Sequence, residues 1–130
     1  MYKKIDLHIH TPESSCYVDH VMPEANIETS LEEIVDAAIA AGLDAMAITD
    51  HNSAESVEKV RQIAGEKGLY IFPGVEISAR GGHALAIFDG DTPVEILYHL
   101  IEILGFADEE RGQGFCETEL WLDEVFWRIE

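Results

Sequence analysis

The chain predicts an α/β fold built from parallel βα units. Short, almost wholly apolar runs alternate with stretches of helical periodicity, the pattern of strands buried on both faces and joined by crossover helices. Residues able to do chemistry collect where those apolar runs end. The chain has 130 residues and 47% hydrophobic content. That suits one domain with a core, and is too little for two ordinary ones.

Taken in order, residues 4–9 form the first strand. Alternation puts His8 and His10 on one face and turns Leu7 and Ile9 into packing. Residues 11–29 read as a long polar loop with Pro12 and Pro23, and a loop of that length in a compact domain tends to be functional. Ser30 is placed to cap a helix over 31–41, with Glu33 completing a capping box. Leu31, Ile34, Val35, Ala38 and Ile39 give that helix one apolar face, and Gly42 stops it. Leu43 to Thr49 is a buried parallel strand. A second helix over 54–66 turns Val57, Val60, Ile63 and Ala64 inward, and Gly68 closes it.

Leu69 to Phe72 begins a third strand, which turns at Pro73-Gly74 and continues from Val75 to Ser78. Gly81-Gly82 joins it to a fourth strand, His83 to Phe88. A helix over 93–104 ends at Gly105, and the glycine- and acid-rich stretch 105–117 reads as loop. Thr118 is placed to cap a last helix carrying Leu122, Val125, Phe126 and Ile129. That helix meets no Gly or Pro before Glu130, so residues 1–130 are expected to be one domain truncated at its C-terminal side.

The net charge is −18, with 26 acids against eight Lys and Arg. Such a balance argues against binding duplex nucleic acid along its phosphate backbone. A single phosphorylated small molecule or nucleotide is compatible with it, because bound divalent cations cancel charge locally. No apolar run reaches the 18 or so residues of a membrane span, and no signal peptide opens the chain. Cys16 and Cys116 suggest no disulfide framework, so a reducing cytoplasm is expected.

His8 and His10 share a strand face, Asp50-His51 follows the second strand, Glu76 ends the third, and His83 opens the fourth. In barrel and open α/β folds the C-terminal strand ends face one side, where sites gather. Neutral imidazoles hold Zn²⁺, Mn²⁺ or Fe²⁺, and a carboxylate such as Glu76 can bridge two ions. Two ions roughly 3.5–4 Å apart can generate hydroxide and stabilise a leaving oxygen. Asp6 and Asp50, beside the candidate ligands, are placed to orient imidazoles. Arg80, between Glu76 and His83, is placed to meet a substrate phosphate.

Three motifs, Asp6-Leu7-His8-Ile9-His10-Thr11, Ile48-Thr49-Asp50-His51-Asn52 and Pro73-Gly74-Val75-Glu76, resemble those of the polymerase and histidinol phosphatase, or PHP, family; His83-Ala84-Leu85-Ala86 is a looser fourth. The resemblance implies the first part of a distorted seven-stranded βα barrel, left incomplete here, and two or three divalent ions. It implies hydrolysis of a phosphomonoester or phosphodiester. His8 and His10 would hold one ion, Glu76 would bridge it to a second on His83, and His51 would serve a third. The family often places a further ligand five or six residues after the second histidine, which here means Ser15 or Cys16. Cys16 is the candidate, with Asp19 and His20 as alternatives. The family's later histidine and Asp-x-His do not follow residue 99. A fused C-terminal domain or an oligomer completing the barrel is therefore expected.

Two other readings compete. One is a non-catalytic metal-binding or structural module of a longer protein. The other is an amidohydrolase-like barrel, which also opens on His-x-His; it is weakened because no lysine near the constellation can bridge metals.

Overall fold

The structure is a computed structural model and describes residues 2–17 and 24–129. The elements run β1 (Ile5–Ile9), α1 (Glu24–Ala40), β2 (Ala45–Ile48), α2 (Val57–Lys67), β3 (Tyr70–Arg80), β4 (Gly82–Ile87), α3 (Val94–Ile103), a 3-10 turn (Asp108–Glu110), β5 (Thr118–Trp121) and α4 (Leu122–Ile129). One five-stranded sheet has the order β1-β2-β3-β4, with β5 also on β3. β1, β2 and the first half of β3 are parallel, as βα units require. β4 then returns antiparallel to β3 through Gly81-Gly82, so the repeat is interrupted by a hairpin.

β2 forms because Met46, Ala47 and Ile48 are fully buried, covered on both faces. Burial of Met46 and Ile48 stabilises by about 1.5–3 kcal/mol each. α1 contributes Leu31, Val35 and Ala38 to the core, α2 contributes Val57, Val60, Ile63 and Ala64, and α3 contributes Leu97, Leu100 and Ile101. Gly68 ends α2 in the left-handed conformation at φ 75°, donating its N–H to the Ala64 and Gly65 carbonyls.

Four local expectations change. α1 begins at Glu24, so Ser30 lies inside the helix rather than at its start; in the sequence, Pro23 and an acid at Glu24 suit a helix start better. β3 does not turn at Pro73-Gly74 but runs unbroken for 11 residues. A Cβ at Gly74 would lie 2.9 Å from Thr49 Cγ2 and 3.0 Å from the Ile48 and Ala86 carbonyl oxygens. Glycine is there to let β2 and β4 approach β3, not to bend the chain. Thr118 opens a strand rather than a helix, since Ala79 of β3 offers it a partner. Finally, β1 is an edge strand among the described residues, and Leu7 stays 47% exposed instead of packing. No described helix is long and apolar enough to cross a membrane.

Candidate metal centre

β1 carries an irregularity where the chemistry begins. Asp6 pairs with Met46 and Ile9 with Ile48, so three steps on β1 face two on β2. Such a bulge re-aims side chains and leaves one backbone group out of the ladder. The His8 N–H donates to Asp6 Oδ1 at 3.0 Å, which satisfies a donor within the bulge. Asp6 thus acts on the backbone of His8, while the His8 ring points at Glu76.

Glu76 is the centre of the arrangement. Its Oε2 lies 2.9 Å from His8 Nε2 and 2.7 Å from His10 Nε2, and 3.5 Å from His51 Nδ1. Its Oε1 lies 2.8 Å from His83 Nδ1. The two nitrogens of His8 and His10 are themselves 3.1 Å apart. Burial alone would raise the Glu76 carboxyl, but hydrogen bonds from His8 and His83 and the charge of His51 outweigh it and hold the group at about 2. With Glu76 ionised, the triangle of His8 Nε2, His10 Nε2 and Glu76 Oε2 has at most two protons for three contacts. A cation at its centre would accept all three lone pairs. Donors about 2.1 Å from one ion and at right angles lie about 3 Å apart, which is the spacing seen.

His51 is fixed from its backbone outward. β2 extends past its last ladder pair to bridge His51 with Glu76, the Glu76 N–H donating to the Asp50 carbonyl at 3.0 Å and the Asn52 N–H to the Glu76 carbonyl at 2.9 Å. Asn52 takes a positive φ of 49°. Its side chain receives the Ser78 N–H at 3.0 Å and donates to the carbonyls of Gln113 and Cys116 at 3.3 and 3.0 Å. The segment 112–116, which reads as plain loop, is drawn over the site. The Gly112 N–H donates to the His51 carbonyl at 2.7 Å. A Cβ at Gly114 would lie 2.7 Å from His51 Nε2. The buried Nδ1 of His51 has no hydrogen-bond partner among the described residues. Burial lowers the His51 pKa against the pull of Glu76, which favours the neutral imidazole, the form that binds metals.

Cys16 Sγ lies 2.8 Å from His10 Nδ1. Burial raises the Cys16 pKa, its own backbone N–H lowers it, and the charges of Glu76 and Asp50 raise it further. Three donor groups able to hold an ion result: His8, His10 and Glu76; His51, Glu76 and His83; and His10, Cys16 and His51. The structure therefore brings six candidate ligands from β1, the loop after it, the end of β2, β3 and β4 into one cluster.

The other candidates are placed differently. Asp50 is fully buried, yet its oxygens accept from the Thr11 N–H, Thr11 Oγ1 and Ser14 Oγ at 2.7, 2.6 and 2.7 Å. It clamps the loop after β1 to the end of β2, and Ser14 Oγ in turn accepts the His51 N–H at 3.0 Å. Burial raises the Asp50 pKa and these donors oppose the rise. Arg80 ends β3 on the strand face of Glu76 by alternation, roughly 13 Å along the strand. Its side chain is exposed and makes no hydrogen bond or ion pair with the described residues. Asp19 and His20 lie outside the described residues. Sequence reasoning missed Thr11, Ser14, Gly112 and Gly114. Only the spaced pair Gly112-Gln113-Gly114 gave a signal, and nothing tied it to His51.

An opened βα sheet that gathers histidines and one glutamate at its strand ends is a metal-site scaffold of the βα-barrel class. The chain belongs to the PHP domain family, which matches residues 6–125. It is 34% identical over 98 residues to a 5'-3' exoribonuclease of Haemophilus influenzae, covering 72% of this chain and 32% of that protein. It is 28% identical over 109 residues to an error-prone DNA polymerase of Symbiobacterium thermophilum, covering 83% of this chain and 9% of the polymerase. The chain thus spans a third or less of these curated relatives. Its fold is similar to that of a candidate metal-dependent phosphoesterase from Bifidobacterium adolescentis, at TM-score 0.55 and 23% identity over 78% of this chain and 33% of the other. An amidohydrolase from Chromobacterium violaceum, with bound sulfate and no metal, gives TM-score 0.55 and 24% identity over the same shares.

Proposed function

We propose that this domain is a metal-dependent hydrolase acting on phosphoesters. The observation that carries the proposal is the convergence of four imidazoles on one ionised, buried carboxylate, with too few protons to satisfy the contacts. His8, His10 and Glu76 would hold one ion, and His51, Glu76 and His83 a second, with Glu76 common to both groups. Zn²⁺, Mn²⁺ and Fe²⁺ all suit imidazole and carboxylate donors. Such ions supply Lewis acidity and an ionised water at neutral pH.

The chain's own residues do the rest. Glu76 fixes the spacing of the two donor groups, and the clamped His51 keeps the floor of the site in place. His8 and His83 are half exposed and form the open rim through which a phosphoester would approach. Arg80, with no acid paired to it among the described residues, is suited to hold a substrate phosphate. One such arginine fits a phosphomonoester, or one phosphate of a nucleotide, better than an extended duplex. Both cysteines are free, which suits a reducing cytoplasm.

A second reading is favoured by the small share of the polymerase that this chain matches: a metal-binding structural module within a longer protein, with a fused domain or oligomer completing the barrel. Metal analysis combined with turnover of p-nitrophenyl phosphate and bis(p-nitrophenyl) phosphate separates the two. Metal-dependent turnover lost in Glu76→Gln supports the hydrolase. Stoichiometric metal with no turnover of either ester supports the module. Cleavage of an acyl amide instead of both esters would move the assignment to amide hydrolysis.

A further inference from the structure

We infer that Phe115 sets the specificity of this site by stacking on the planar base of a single nucleoside phosphate. This rests on the hydrolase reading and names the alcohol half of the substrate. Phe115 is 77% exposed. Single apolar side chains on a surface are ordinary and by themselves carry no function. What sets this ring apart is where its backbone lies and what holds it there. The Cys116 N–H donates to the Gln113 carbonyl at 3.0 Å, closing a turn with Gly114 and Phe115 at its centre.

Three side chains tie that turn to the site. Asn52 donates to the carbonyls of Gln113 and Cys116, Ser78 Oγ donates to the Gly114 carbonyl at 3.2 Å, and Ser15 Oγ accepts the Gly114 N–H at 3.2 Å. Asn52 follows His51 in the chain, and Ser78 stands on the strand face of Glu76 by alternation. The turn is thus fixed to the framework that fixes the donors. A Cβ at Gly114 would lie 2.7 Å from His51 Nε2, so the Phe115 Cα is no more than about 8 Å from that atom. A ring on backbone held this way has two side-chain torsions to settle on binding, so stacking costs little entropy. A phosphate gives a phenyl ring nothing to stack on, whereas a nucleobase gives it a flat face whatever the base's hydrogen-bonding pattern. One ring serves one base, and 26 acids against eight Lys and Arg disfavour tracking a longer phosphate chain.

The test is calorimetric titration of the zinc-loaded full chain with adenosine 5'-phosphate and with ribose 5-phosphate, which lacks the base. The native chain should bind the nucleotide at least about fivefold tighter, the gain expected of one stacked base. Phe115→Ala should bring the two affinities within about twofold of each other, and Phe115→Tyr should restore the preference. Phe126→Ala, which removes an exposed phenylalanine of α4, should keep it. Hydrolysis of both esters is followed in parallel. A native chain without the preference, or a preference that survives Phe115→Ala, would overturn the role of Phe115; turnover of either ester would then leave the hydrolase standing. A preference that depends on Phe115 in a chain that hydrolyses neither ester would uphold the stacking role and count against hydrolysis.

Discussion

His51 and His8 belong to one cluster but are held in opposite ways. The His51 side chain is 8% exposed, with Asn52, Ser14 and the 112–116 segment fixing its backbone on both sides. The His8 side chain is 50% exposed, on an edge strand, with one Asp6 contact to its backbone. His83, at 43%, resembles His8. The cluster therefore has a rigid floor and an open rim. The floor holds donor geometry at a cost in buried polar groups that must all be paired. The rim gives up rigidity and leaves room for a ligand.

The contrast is broken most severely at Asp50. Asp50→Ala would leave three buried donors, Thr11 N–H, Thr11 Oγ1 and Ser14 Oγ, without their acceptor. A loss of about 3–5 kcal/mol is expected, as for other broken buried charged networks. Chemical denaturation of the metal-free chain measures it. A loss below about 1 kcal/mol would show that the floor is not held by Asp50.

Gly112→Ala should follow. Gly112 has φ 75°, and a Cβ there would fall on the Glu13 carbonyl oxygen. Left-handed strain of about 1–2 kcal/mol plus displacement of Glu13 should cost roughly 2–3 kcal/mol. The melting temperature should drop on the order of 10 °C. Because Gly112 also donates to the His51 carbonyl, metal affinity should fall with it. Gly105→Ala is the control: its φ is 86° but nothing lies within 4 Å, so it should show the strain without the loss of affinity.

The asymmetry also explains what could be read in advance. Candidate ligands on strand ends were legible because strand periodicity fixes which way a side chain points: His8 and His10, Glu76 and the residues after Ile48 all follow from it. The floor was not legible, because its parts meet across long separations with no periodic signature. Ser78 reaches Gly114 over 36 residues, and Gly114 reaches Ser15 over 99. Pro73-Gly74 misled for a related reason. Its turn propensity is local, whereas the crowding that requires glycine comes from Thr49 and Ala86. Asp50 looked like an imidazole partner by adjacency, yet its neighbours in space are Thr11 and Ser14.

Replacing one candidate ligand on each side sharpens the comparison. His51→Gln and His8→Gln both remove one imidazole, so each should weaken metal binding by at least about tenfold, within the range known for disturbed metal sites. Their stabilities should differ. His8→Gln, at an exposed position, should stay within about 0.5 kcal/mol of the native chain. His51→Gln buries a longer amide under Gly114 and should lose about 1–3 kcal/mol. Isothermal titration with Zn²⁺ and denaturation of the metal-free proteins read the two quantities separately. Equal stability losses would remove the distinction between floor and rim.

The smallest effect is expected at Asp6, and it tests whether the rim has any preorganisation of its own. The carboxylate does not touch a ring; it accepts the His8 N–H inside the β1 bulge. Asp6→Ala leaves that N–H to water at an exposed position, so stability should fall only about 0.5–1 kcal/mol. The His8 ring would lose its fixed approach to Glu76, and zinc affinity should weaken by about threefold to tenfold. Asp6→Asn keeps an oxygen that can accept the same N–H and should restore most of the affinity, although it removes a negative charge. If Asp6→Asn behaves like Asp6→Ala, the charge of Asp6 matters rather than its hydrogen bond, and the rim is tuned by electrostatics instead of by the bulge.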